Sequence, residues 1–261
     1  MLVGPGRINE AAVTLSFDYN IIPIPDITYI ISPYPYHVIN EVFIKFNLDV
    51  SKYKFLDDLY FNEHYDLSRY DKDHWYLQQA IKLCSIDHFD SDYFIIQDCD
   101  QVPIKPYNMW VDEKLNYKVE VLWNPYQKIY ADMVEQLIDM PRVLQYSLVN
   151  ELMPYDKQDW LALKNQIETK HNANFLDSIA NIRSFTEIKW FSEFELLGIY
   201  KTHQTGWTHY VAMPQPPIHT WEDFYSIDWS KQDTVKFLTA PLKYMHQLDA
   251  LKMVDYLKNI S

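Results

Sequence analysis

Glycine is scarce here: the chain has four in 261 residues. Where they fall therefore carries information. Cysteine is scarcer still, with only Cys84 and Cys99. Neither stands at metal-ligand spacing from the other, so both are expected as free thiols in a reduced, cytoplasmic setting, the host cytoplasm if the source is viral. No run of about 18 apolar residues occurs, which speaks against a membrane span. Met1 to Arg7 lacks a basic stretch followed by a long apolar one, so no secretory signal is expected. Basic residues number 23 against 36 acidic ones, a net charge of −13. Sequence-independent binding to nucleic acid needs a positive surface, so it is disfavoured, although a local basic groove stays compatible. No low-complexity linker and no internal repeat is visible.

What remains is an ordinary globular composition, 48% apolar, long enough for one large core or two small ones. Aromatic residues are abundant at 16%. Tyrosine and tryptophan suit stacking on sugars, though most are expected in or near the core.

The chain is organised around Asp90-Ser91-Asp92-Tyr93-Phe94-Ile95-Ile96-Gln97-Asp98-Cys99-Asp100. Tyr93 to Ile96 reads as a strand buried on both faces, as in a parallel sheet. Asp98 and Asp100 follow at its carboxyl end, where open α/β sheets bind ligands. Two acids this close resist joint ionisation unless a cation joins them. Mg²⁺ or Mn²⁺ would take the two carboxylates and fill its other positions with phosphate oxygens and water. The plain alternative is a turn with solvated acids. Cys99 between them has no basic neighbour to make it a nucleophile.

Around this stretch, Leu2 to Asn9 reads as a strand end running into a loop with two of the glycines, Gly4 and Gly6. Glycine lets backbone approach a ligand closely, so Gly4, Pro5, Gly6 and Arg7 are candidates to hold a nucleotide, with Arg7 near phosphate or base. Further strands are expected at Asp26–Ser32, Lys54–Asp58, Tyr117–Trp123 and Trp207–Ala212. Helices are expected at Glu10–Tyr19, Val38–Phe46, Trp75–Cys84, from Gln127 to Met140, and at Val143–Leu152, Trp160–Lys170 and Leu248–Leu257. In the helix before the acid-bearing strand, Leu77, Ile81 and Cys84 form an apolar stripe. Gln78, Gln79 and Lys82 lie on the other side. They would hydrogen-bond sugar hydroxyls and meet a phosphate, or simply face solvent.

Near Trp190, Ser192 is a plausible N-cap for Glu193-Phe194-Glu195. Residues two apart on a helix diverge by about 200°, so only one of these acids easily faces a pocket. There it would bind an acceptor hydroxyl or act as general base; otherwise the pair complements the helix dipole. His219, in a proline-rich loop, and His246 are candidates for a third metal ligand.

The combination of Asp98-Cys99-Asp100 after its strand, the helix Trp75–Lys82 before it, and Ser192-Glu193-Phe194-Glu195 later resembles a GT-A type glycosyltransferase. It is similar in particular to a group of glycosyltransferase-like proteins of bacteria and viruses, over about residues 1–225. The resemblance implies an α/β, GT-A-like (Rossmann-like) fold: a mixed, mostly parallel sheet flanked by helices, with a helical insertion. It would be one domain over 1–261, its 1–123 half binding the nucleotide-sugar and its 124–261 half carrying the insertion and the acceptor side. Asp98 and Asp100 would hold Mn²⁺ or Mg²⁺ against the diphosphate of a nucleotide-sugar, UDP-linked first. A C-terminal histidine often completes such a shell, and neither His219 nor His246 stands in a well-defined motif for it.

The activity expected is metal-dependent transfer of a sugar to a hydroxyl. The acceptor would be a glycan or small molecule, or, second, a hydroxymethylated base in viral DNA. Glu193 or Glu195 would serve as base in an inverting reaction, and none is needed in a retaining one. A nucleotidyltransferase with paired aspartates, or a carbohydrate-binding protein without catalysis, are the alternatives.

Overall fold

The computed structural model describes residues 1–70, 73–111, 114–121, 125–143, 146–149, 152–185, 191–204, 209–212, 226–227, 237–239 and 247–259. The fold is mixed α/β with short, mostly parallel pairings. In chain order the helices are α1 (Ile8–Leu15), α2 (Tyr36–Lys45), α3 (His74–His88), α4 (Pro125–Ile138), α5 (Lys157–His171), α6 (Phe175–Phe185), α7 (Glu193–His203) and α8 (Gln247–Lys258). The strands are β1 (Ile21–Ile22), β2 (Thr28–Ser32), β3 (Tyr53–Asp57), β4 (Tyr93–Gln97), β5 (Gln101–Pro103), β6 (Tyr107–Asn108), β7 (Trp110–Val111), β8 (Lys114–Val121), β9 (Tyr146–Ser147), β10 (Leu152–Asp156), β11 (His209–Ala212) and β12 (Phe237–Thr239).

Two compact units share the chain. The first comprises Met1–Asp58, Gln97–Trp110 and Met213–Ser261, the second Leu59–Ile96 and Val111–Ala212.

In the first unit β2 and β3 pair in parallel, Thr28 opposite Tyr53 and Ser32 opposite Asp57. Leu2 bridges in parallel to Ile31 on one side and to Asp98 on the other. The Val3 amide donates to the Ile31 carbonyl at 2.8 Å, and the Ile31 amide to the Met1 carbonyl at 3.0 Å. Residues 1–3 thus run extended between β2 and Asp98, held by single-residue bridges at Leu2. β5 pairs antiparallel with β12 and β1 in parallel with β6. The core beneath is continuous: Val3, Ala11, Val13 and Leu15 meet Ile39 and Phe43 of α2 and Met253, Val254 and Leu257 of α8. Fully burying one such side chain contributes about 1.5–3 kcal/mol, so α1, with every residue from Glu10 to Leu15 buried, anchors the unit.

The second unit is largely helical. α3 packs on α5 and α7, and α4 on α5, α6 and α7. α3 starts where Asp73 accepts a hydrogen bond from the Tyr76 amide, as its N-cap chemistry predicts. α5 ends on Asn172 in the left-handed conformation, a residue type that tolerates it. Every residue of α7 from Glu193 to Tyr200 is buried, which marks a helix enclosed by others. β8 pairs in parallel with β11 and antiparallel with β9.

Two expectations are corrected. Val143–Leu152 is not a helix; β9 and the start of β10 lie there. Leu148, Val149, Leu152 and Met153 imitate a helical stripe, but Pro154 biases its neighbour toward extended backbone, and strand pairing with β8 and β4 prevails. β4 is a strand, yet it is not buried on both faces. Tyr93 is 51% exposed and Phe94 to Ile96 are half-buried. Among the described residues β4 pairs with β10 alone, so less of it is covered than in a central parallel strand. α6 was absent from the sequence expectations; Asn174 caps it, its side chain accepting from the Asp177 amide at 2.9 Å.

Candidate functional site

The first unit gathers chemistry at one sheet edge. Because Leu2 aligns with both Ile31 and Asp98, the chain two residues on reaches Gly4, Pro33 and Asp100 at about the same level. This is the carboxyl end of parallel strands, the ligand-binding edge of open α/β sheets. The loop Gly4–Arg7 turns there with Gly6 at φ 80°, a left-handed conformation that glycine adopts without strain. The Gly6 amide donates to the Tyr34 hydroxyl, which ties the loop to the end of β2. A side chain at Gly4 would meet nothing within 4 Å, so the loop borders open space. α1 begins at once, at Ile8.

Asp98 and Asp100 are half-buried, whereas Cys99 between them is 6% exposed and part of the core. Thr14 of α1 fixes this turn by donating to the Cys99 carbonyl at 2.7 Å. Burial, then the charges of Asp100 and Asp98, push the Cys99 thiol far above its ordinary range. It stays a protonated, inert packing group, in line with the absence of a basic neighbour in sequence. Arg7 reaches across the edge, its Nη1 2.6 Å from Asp100 Oδ2, with both side chains about a quarter exposed. Burial opposes the guanidinium charge, but Asp100 outweighs it and raises the Arg7 pKa.

By donor type the pair suits a hard divalent cation. The two carboxylates stand at the sheet edge while the residue between them is sunk in the core, and Asp100 already holds a cationic group. Two carboxylates completed by phosphate oxygens and water are a usual Mg²⁺ or Mn²⁺ set. Among the described residues, no group of three or more His, Cys, Asp or Glu is placed to hold a metal ion. His219 and His246 lie outside the described residues.

The second unit holds the other candidates, Gln78, Gln79, Lys82, Glu193 and Glu195. Gln78 is half-buried. Gln79 and Lys82 turn toward α7: the Gln79 Oε1 accepts from the Glu193 amide at 3.4 Å, and Lys82 Nζ lies 2.6 Å from Glu193 Oε1. Lys82 is 3% exposed and Glu193 fully buried. The same ammonium sits 4.5 Å from the centre of the Phe194 ring, a cation–π contact. Ser192 caps α7 through the Glu195 amide.

Glu195 leaves the helix in another direction. It takes Arg142 Nε on Oε1 at 2.6 Å and the Leu148 amide on Oε2 at 3.1 Å. Burial still raises its carboxyl pKa, against the pull of Arg142 and Leu148. Arg142 escaped the sequence reading. The signal for it and for the Lys82 pairing was present: two acids open a segment apolar all round, Phe191 to Tyr200, and buried acids need partners. Gly198 lets Leu148 close on this helix; a Cβ there would fall 2.5 Å from Leu148 Cδ1 and 2.9 Å from its Cβ.

No helix of the described residues is long and apolar enough to cross a membrane. No family model and no curated protein matches the chain.

Proposed function

We propose that this chain is a metal-dependent glycosyltransferase of GT-A type, moving a sugar from a nucleotide-diphosphate sugar, UDP-linked first, to a hydroxyl acceptor. One observation carries the reading. The extended segment at Leu2 bridges in parallel to Asp98, the two run on into a glycine-bearing loop and a pair of aspartates, and Arg7 of the first already touches Asp100 of the second at 2.6 Å.

In this reading Asp98 and Asp100 hold Mn²⁺ or Mg²⁺, which neutralises charge developing on the leaving diphosphate. The start of α1 faces phosphate oxygens, since helix N-termini favour anions. Arg7 adds a second positive group at the same place. Cys99 and Thr14 hold the aspartate turn against the core. Glu193 and Glu195, each committed to a buried cation, hold the start of α7; acceptor deprotonation is not assigned to them. A glycan or small hydroxylated molecule is the acceptor that suits a net charge of −13.

The test is hydrolysis of UDP-sugars by the full chain with and without Mn²⁺, beside Asp100→Asn. Metal-dependent release of UDP, lowered about 100-fold or more in the variant, is expected, because removal of one electrostatic group at a reacting centre costs that much. Full turnover in Asp100→Asn would overturn the assignment.

A further inference from the structure

We infer that Arg7 is a built-in competitor for the metal position: its guanidinium occupies the Asp100 carboxylate until a divalent cation displaces it, and then turns to the donor diphosphate. The inference rests on the metal reading of the aspartates and goes beyond it.

Three observations support it. First, the pair is close and directional, Nη1 to Oδ2 at 2.6 Å, from residues 93 apart in sequence. Charge-assisted bonds of this kind are short and strong for their type. Second, the pair keeps access to water, 23% and 24% exposed, so its net worth is modest and an incoming cation can exchange with it. Third, Arg7 has somewhere to go. Its backbone is held as the N-cap of α1, the carbonyl accepting from the Ala11 amide at 3.1 Å, so only the long side chain need swing, and it follows Gly6 at φ 80° and a Gly4 that borders open space. A two-plus ion between Asp98 and Asp100 repels a guanidinium at the same oxygen, whereas a diphosphate bound at that edge attracts it. Metal without nucleotide would therefore bind weakly, and metal with nucleotide tightly, because only the second leaves Arg7 with an anion.

Calorimetry on the full chain with Mn²⁺ alone, and with Mn²⁺ plus UDP, separates the outcomes. Arg7→Met should bind Mn²⁺ alone more tightly than the natural chain, by roughly three- to fivefold, the range of a partly exposed ion pair. It should bind UDP in the presence of Mn²⁺ less tightly. Arg7→Lys keeps a cation beside Asp100 and should stay near the natural chain in the first measurement, which controls for misfolding. If Arg7→Met binds Mn²⁺ equally or more weakly while Asp100→Asn loses it, the competition is overturned and the metal site stands. If the natural chain and Arg7→Met both fail to bind Mn²⁺ with or without UDP, the metal reading falls, and this inference with it.

Discussion

The chain carries two acid pairs of identical spacing, Asp98-Cys99-Asp100 in one unit and Glu193-Phe194-Glu195 in the other, and the two meet opposite environments. The first follows a strand, where alternate residues share a face. Its middle residue sinks into the core and its acids stay half-exposed at a sheet edge. The second opens a helix, where residues two apart point nearly opposite ways. Its acids are both fully buried, and each finds its own cation, Lys82 or Arg142. Spacing alone does not separate a half-exposed pair at a sheet edge from a structural clamp. The backbone period and the burial of the acids themselves do, since the residue between them is buried in both pairs.

The largest effect expected follows from breaking the clamp. Lys82→Met leaves Glu193 buried without its ammonium, which costs about 3–5 kcal/mol. The double change Lys82→Met with Glu193→Leu should recover most of that loss, since an apolar pair of similar volume carries no desolvation cost. Urea unfolding followed by tryptophan fluorescence reads both. A neutral Lys82→Met would mean that water reaches Glu193, and the contrast between the two pairs would collapse.

Much of this was legible in advance. The run into β4 and the Ser192 cap depend on local chemistry and appear where expected. The misread segment, Val143–Leu152, has apolar spacing that fits a helix, and what decides it is non-local: partners on β8 and β4 and a fixed Leu148 amide. The Arg7–Asp100 and Arg142–Glu195 pairs span 93 and 53 residues, and no local rule couples such positions. Periodicity reports which face is apolar, and it is silent on which distant cation completes a buried carboxylate.

A third acid sharpens the comparison through pH. Asp87, at the end of α3, accepts from Lys164 at 2.9 Å, Tyr65 at 3.0 Å and Trp160 at 3.1 Å. Burial alone would raise its pKa, but these donors and the Lys164 charge lower it below the ordinary 3.8. A lowered carboxyl pKa contributes stability above the unfolded value that disappears as pH falls through the folded one. Asp87→Asn should therefore cost about 2 kcal/mol at neutral pH, with the gap to the natural chain closing in acid. Glu195 has the opposite sign: its raised pKa means that its contribution is fully present in acid and is lost as pH rises through the folded value. Stability curves of Asp87→Asn and Glu195→Gln against pH should diverge from the natural chain in opposite directions. Parallel curves would place both acids in the same environment.

The smallest effect tests how tightly the clamp is closed. Gly198→Ala adds a methyl 2.5 Å from Leu148 Cδ1, and Leu148 is itself fully buried. Overpacking of this kind costs about 1–3 kcal/mol. Alanine recovers about 1 kcal/mol of helix propensity over glycine, so a net loss near 1 kcal/mol is expected. The loss should grow if moving Leu148 also lengthens its amide bond to Glu195. With Leu148→Gly already in place the contacts to Cδ1 and to Cβ are both gone, and the added methyl fills part of the cavity left behind. Gly198→Ala should then stabilise, and this change of sign in a double-mutant cycle ties the glycine to Leu148 and not to a conformational need of α7.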